Sequence, residues 1–318
     1  MRKKLANTEH IEGRIYEHDL AIKTTGEGSK NPGTVYIGGT LSVATDDECL
    51  NVVTVNFTYV TATTSKGTKN ATFDALKTII ESGKTVSIDG AANATMVKID
   101  SALDLNDFYT NRDGEETLVS AKRNGGGFVH IVTKLCDPTN RNTFEFDMLI
   151  NGTRLVEADP ERGIDNDYLV VKGAVFNFAG RILPVELVVK NSGGIAYFQS
   201  LEASPTNPTF TKVWGKIESQ LTVTRKETES AFGESAVKEY VNTKKEWVIT
   251  GAAKETYPTD DAEAGITKEE VAKAVADREV YLAEVKRKQD EYQATKSAGT
   301  GATAPKASAA AAVGGFNF

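Results

Sequence analysis

Cysteine is almost missing from this chain: Cys49 and Cys136 are the only two among 318 residues. They stand far apart in no ligand-pair spacing. With only three histidines, His10, His18 and His130, the pattern predicts no zinc centre. So little cysteine suits a reducing compartment, and the cytoplasm is the expected location. No apolar run approaches the roughly 18–20 residues that cross a bilayer, so no membrane partner is expected. The opening "MRKKLANTEHIEG" is basic but has no apolar core behind it, which does not fit a secretory signal. An excess of positive charge is also lacking. Lys and Arg number 37 against 44 Asp and Glu, for a net charge of −7. Coating nucleic acid by bulk charge is thereby excluded, whereas a local basic groove is not.

Catalytic signatures are missing too. The chain has no phosphate-cradling Gly-rich loop followed by Lys and Ser/Thr, no nucleophile elbow and no paired-histidine motif. "RNGGGF" is rich in glycine but precedes a strand, so no helix N-terminus is available to hold phosphate. It reads as a hairpin or as a close backbone approach to a ligand. The acidic stretches "TDDE" and "DPERGIDND" lack the Gly and terminal Glu of a calcium loop and read as solvated connections. No enzyme, cofactor or metal is expected.

The chain does have strands. It is 40% hydrophobic and 25% charged, ordinary for a globular protein with room for two domains. "TVYIGGTLSV" and "LNVVTVNFTYVTAT" are rich in β-branched and aromatic residues. In the second, Val53, Val55, Phe57 and Tyr59 share one face and Thr54, Asn56 and Thr58 the other. "GEGSKNPG", "NGGG", "ADPERG" and "NSGG" read as turns. "NATFDALKTIIESG" is a helix: Asn70 or Thr72 caps it, Phe73, Leu76, Ile79 and Ile80 form its stripe, and Gly83 ends it. "KTVSIDG" and "TMVKIDSALDLNDFY" follow as two more strands. Three strands, a helix and two strands is the order of an OB-like five-stranded barrel; the alternative is an antiparallel sandwich with a helical insertion.

A second β-rich unit runs from "GGGFVHIVTKL" through "NTFEFDMLING", "YLVVKGAVFNFAGRILPVELVV", "GIAYFQSLEA" and "FTKVWGKIESQLTVTRKE" to "KKEWVITGAAKE". "EGRIYEHDLAI" and "WGKIESQLTV" share a short similarity that does not amount to a repeat. "TKEEVAKAVADREVYLAEVKRKQDEYQATK" is then a long charged helix, opened by a Thr267/Glu270 capping box. Its thin seam of Val271, Ala274, Val275, Leu282 and Val285 is interrupted by Arg278. It either docks on the barrels or pairs with a copy of itself to make a homo-oligomer. The fold class expected is mainly β: two OB-like antiparallel barrel units, a long charged helix and a disordered tail. The divisions are 1–118, 119–258, 259–297 and 298–318. The tail "KSAGTGATAPKASAAAAVGGFNF" is a solvated tether that ends in two apolar rings, Phe316 and Phe318.

Aromatic and basic residues recur together along the strands. Arg14 and Tyr16 share a face, as do Lys212, Trp214 and Lys216. Phe128 follows Lys122 and Arg123, Arg181 follows Phe176 and Phe178, and the loop "TSKGTKN" carries Lys66 and Lys69. Rings stack on unpaired bases of any identity while Lys and Arg follow the phosphates. A half-buried strand produces the same pattern, and both readings stand at this point.

"GRILPVELVV", "GKIES", "ESAFGE", "EWVITG" and "ADREVYLAEVK" resemble a family of bacteriophage replication-module proteins, from phages and prophages mainly of Gram-positive hosts. The resemblance covers residues 125–290 well and the first unit loosely. It implies a single-stranded DNA-binding protein of OB-like barrels that works in the host cytoplasm beside replication or recombination enzymes. It also implies a tail whose tip, here Phe316 and Phe318, recruits partner proteins; unlike the usual tip, this one has no acidic residue. The competing class is a virion component such as a tail-tube or head-decorating subunit, equally strand-rich and free of catalytic motifs.

Overall fold

A computed structural model describes residues 5–112, 114–162, 164–228, 232, 236–257 and 265–298. Side chains are described among these except at 162, 220–228, 236–242 and 296–298. Among the described residues, eleven strands form one sheet system. In the first half these are β1 (Asn7–His18), β2 (Ala21–Thr24), β3 (Val35–Ala44), β4 (Val52–Thr61), β5 (Met96–Arg112) and β6 (Glu115–Val132). The second half has β7 (Asn142–Val156), β8 (Tyr168–Phe176), β9 (Ile182–Val189), β10 (Thr209–Thr228) and β11 (Ala236–Ala252). The helices are α1 (Ala71–Ser82), α2 (Val86–Asp89), α3 (Ser192–Ser200) and α4 (Lys268–Ala298).

The pairings close two circuits of the same design. In the first, β1 pairs antiparallel with β3 and with β5, β3 with β4, and β5 with β6. A short parallel ladder, Val55↔Asn124 and Asn56↔Gly125, closes β4 on β6. In the second, β7 pairs with β8 and β10, β8 with β9, and β10 with β11. There β9 meets β11 in parallel at Val188↔Val248. Each circuit has a helix, α1 or α3, between its third and fourth strands. That is the OB-like plan expected for the first half, and it occurs twice. The first strands of the two barrels, β1 and β7, also pair antiparallel from Asn7↔Phe146 to Ile11↔Asn142. The barrels therefore share one continuous sheet, and one core cluster takes residues from both, from Ile11 to Ile249. "EGRIYEH" is the first strand of one barrel and "WGKIESQ" the fourth strand of the other, so their similarity marks no equivalence.

Local chemistry explains where the structure departs from the expected elements. "KTVSIDG" is not a strand but contains α2, a single turn in which the Asp89 carboxylate accepts from the Thr85 amide at 2.8 Å. Gly90 ends it at φ 78°. "GIAYFQSLEA" lies in and just after helix α3, whose cap, Asn191, accepts from the Gly194 amide at 2.6 Å. "NGGG" is no turn, for it lies inside β6, the fifth strand of the first barrel. A Cβ on Gly127 would stand 1.9 Å from the Asp100 carbonyl, beside a bulge between Asp100 and Ala102. The close backbone approach at Gly127 is to β5. A division at 118/119 would cut β6. Asn70 caps α1 by accepting from the Thr72 amide, which such side chains do for about 1 kcal/mol. Thr267 and Glu270 cap the start of α4 reciprocally, at 3.0 and 3.2 Å.

Candidate nucleic-acid interface

OB-like barrels offer ligands the outward face of their second and third strands, flanked by loops. In the first barrel that face belongs to β3 and β4. Ile37, Leu41 and Val43 of β3, with Val53, Val55 and Phe57 of β4, point into the core. A register shift between Ile37 and Gly39 sets Ile37 opposite Val60, which packs on that core. Tyr59 is thereby turned outward beside Tyr36, and it does not share the buried face of Phe57. The two rings lie 4.7 Å apart, tilted by 39°, and Tyr59 is 47% exposed. Lys23 on β2 stands directly across the ladder from Tyr36. Beyond β4 the chain turns tightly, Thr63 bridging Lys69, so that exposed Lys66 and Lys69 lie at the same end of the strand. Lys69 reaches Asp74 at 3.0 Å. Asp19 accepts from the Thr40 hydroxyl at 2.8 Å and pins the β1–β2 corner to β3. The arrangement is an exposed Tyr59 ring against a half-buried Tyr36 ring, with cations on two sides.

The basic and aromatic residues singled out in the sequence fall into three groups. One lies on the surface shared by the two barrels. There Lys216, Thr143, His10, Asp100 and Phe128 follow one another in register across β10, β7, β1, β5 and β6. Phe128 is 70% exposed and Trp214 42%. The Trp214 ring lies so close over Gly251 that a Cβ there would come within 2.5 Å of it. Lys212 pairs with Glu145 at 2.6 Å, and that carboxylate holds its pKa above the usual value. His10 contacts Asp100, and Lys98 lies 3.8 Å from the same carboxylate. Cations here are matched by acids, so the surface offers phosphates less net attraction than its lysines suggest. Arg14, also on β1, reaches Asp47 at 3.5 Å, and Tyr16 beyond it is half-buried.

A second group is engaged within the protein. Lys122 donates to the Glu186 carbonyl at 2.6 Å and lies 4.9 Å over the Trp247 ring, tying β6 to the second barrel. Burial pushes its pKa down to about 8 against the raising effect of Glu186 and Glu246. Arg123 pairs with Asp104 at 2.7 Å. Arg181 stacks on Tyr281 of α4 at 4.0 Å. Phe176 is buried while Phe178 is exposed. Lys66 and Lys69, near the tyrosine pair, form the third group. Phe316 and Phe318 lie outside the described residues. Tyr36, Tyr59 and Lys23 were not among the candidates drawn from the sequence; only the β2–β3–β4 register brings them together.

The corresponding face of the second barrel is covered. Ala174, Phe176 and Ile182 on β8 and β9 form an apolar cluster with Leu149, Phe210 and the Ile266 and Ala274 side chains at and before the start of α4. Farther along, Arg278 is buried against Asp107 of β5 at 2.8 Å and also donates to Ser120 of β6. Gln289 brackets the Tyr109 backbone, accepting from its amide at 2.9 Å and donating to its carbonyl at 2.5 Å. The helix docks on its own chain, and Arg278, the break in its apolar seam, is its deepest polar anchor. Where the barrels meet, Glu9 is buried and accepts from Trp247 Nε1 at 2.8 Å and the Ser101 hydroxyl at 2.9 Å. Burial lifts its pKa to about 7 despite those two donors. Among the described residues, no helix is long and apolar enough to cross a membrane.

A family model described as YorF matches residues 6–288. No curated protein sequence matches the chain. Among solved structures, the chain is similar to the wild-type single-stranded DNA binding protein from Thermus aquaticus, at 10% identity and a TM-score of 0.45. That match covers 80% of this chain and 96% of the other. A deletion mutant of the same Thermus aquaticus protein matches at 11% identity and a TM-score of 0.44, over 81% of this chain and 99% of that one.

Proposed function

This chain belongs to the YorF family, and from that premise we propose that it binds single-stranded DNA without catalysis and largely without regard to sequence. In this reading it serves a phage replication and recombination module in the cytoplasm of the host cell. The observation that carries the reading is the Tyr36–Tyr59 pair on the outward β3–β4 face, with Lys23 across from it and Lys66 and Lys69 beside it. Solvent-reachable rings stack on base faces of any identity, and flexible lysines around them follow a phosphate backbone. Phe128, Trp214 and Lys216 extend the path over the shared sheet surface. The tail tip, Phe316 and Phe318, recruits replication or recombination partners. The first turns of the α4 seam, Val271, Ala274 and Val275, pack on the second barrel, whereas Leu282 and Val285 lie outside that cluster and leave a homo-oligomer open.

The test is a fluorescence-anisotropy titration of labelled oligo-dT of about thirty nucleotides, long enough to span the β3–β4 face and the shared sheet surface. It is run at low and moderate salt against the matching duplex. Single-strand-selective binding that weakens with salt is expected, because phosphate binding releases counterions. No binding at low salt would overturn the reading.

A further inference from the structure

We propose that His10, Glu12 and Cys136 form a binding site for a zinc-type divalent cation. His10 and Glu12 are two apart on β1 and so share its face. Cys136 comes from the connection between β6 and β7, more than a hundred residues away in sequence. The three candidate ligand atoms lie within 4.8 Å of one another. His10 Nε2 faces Glu12 Oε2 at 3.3 Å, and the other carboxylate oxygen accepts from the Cys136 amide at 2.5 Å. A tetrahedral ion with bonds of about 2.0–2.3 Å holds its ligands roughly 3.3–3.8 Å apart, so closing the site needs only side-chain adjustment.

Three independent features favour a cation over a chance meeting of polar groups. Glu12 is buried, and a buried carboxylate calls for a positive partner. His10 Nδ1 lies 3.1 Å from Asp100, which points Nε2 toward Glu12 and matches the carboxylate–histidine–metal relay that orients bound imidazoles. The loop that presents Cys136 is also held in place: Arg141, itself buried, donates to the Cys136 carbonyl at 2.8 Å and to Asp47 at 2.7 Å. Imidazole, thiolate and carboxylate together suit zinc better than magnesium or calcium, which favour oxygen ligands. The His10 side chain is partly exposed, so a water can supply the fourth ligand. Binding would displace the thiol proton and clamp the inter-barrel connection onto β1, the strand through which the barrels are joined.

Cobalt(II) is the probe. Titrated into the full chain, it is expected to give visible d–d bands and a near-ultraviolet thiolate-to-cobalt band at one equivalent, both displaced by zinc. Cys136→Ser should abolish the thiolate band, while Cys49→Ser should leave it intact. Asp100→Asn should weaken cobalt affinity about 10- to 100-fold with the band shape unchanged. Circular dichroism of each variant separates lost binding from lost fold. No thiolate band in the native chain would overturn the site, as would unchanged affinity in a folded Cys136→Ser protein.

Discussion

The two barrels repeat one strand order and differ in what lies over the outward face of their second and third strands. On the first barrel, Tyr36, Thr54, Asn56 and Tyr59 stand on or near that face, and solvent reaches them. On the second, Ala174, Phe176 and Ile182 occupy the equivalent face and are sealed under α4 and the residues leading into it. The fold alone therefore does not decide what becomes of that face. Side chains at outward positions decide whether it stays open to solvent or is spent on the chain's own helix.

The covered face can be broken first. Arg278→Ala leaves Asp107 buried without its cation, a loss expected to cost about 3–5 kcal/mol. Urea denaturation should show that loss, and an unchanged midpoint would mean that α4 is no fixed cover. The joint between the barrels can be probed through pH. The native state holds the Glu9 pKa near 7, above the ordinary 4.5, so it keeps a proton that the unfolded chain gives up between those values. Stability should then fall as pH rises through that window and level off above it, by about 3 kcal/mol in all. Glu9→Gln should remove the slope, seen as equal thermal midpoints at acidic and mildly alkaline pH.

The open face comes next. Tyr59→Ala should weaken binding of oligo-dT by about 1–3 kcal/mol, whereas Lys172→Ala on the covered barrel should leave it unchanged. Equal losses in the two titrations would erase the distinction between the barrels. The smallest effect is expected at Lys212, whose pairing with Glu145 is partly exposed. Lys212→Ala should change stability by less than about 1 kcal/mol.

What could be read from the sequence was local. The Thr267/Glu270 box and the Asn70 cap act within a few residues, and both are present as expected. The strand–helix–strand order of the first barrel was legible because β-branched alternation marks β3 and β4. α2 and α3 were misread because one turn has no helical period to detect and because an apolar run such as "GIAYF" suits either state. The fifth strand hid behind glycines that look like a turn but let β4 and β5 approach closely. Tyr36 and Tyr59 became a pair only through a register shift, and Lys122 and Arg181 proved to be inter-element braces. None of this is encoded in spacing along the chain, since strand register and packing arise after the elements form.

The most direct measurement is ultraviolet crosslinking of oligo-dT to the full chain, followed by mass-spectrometric mapping of the modified peptides. The account predicts crosslinks on the β3–β4 peptides that hold Tyr36 and Tyr59, lost in the Tyr36→Ala, Tyr59→Ala double variant. Crosslinks confined to residues 168–189 or to α4, with none on β3–β4, would contradict it.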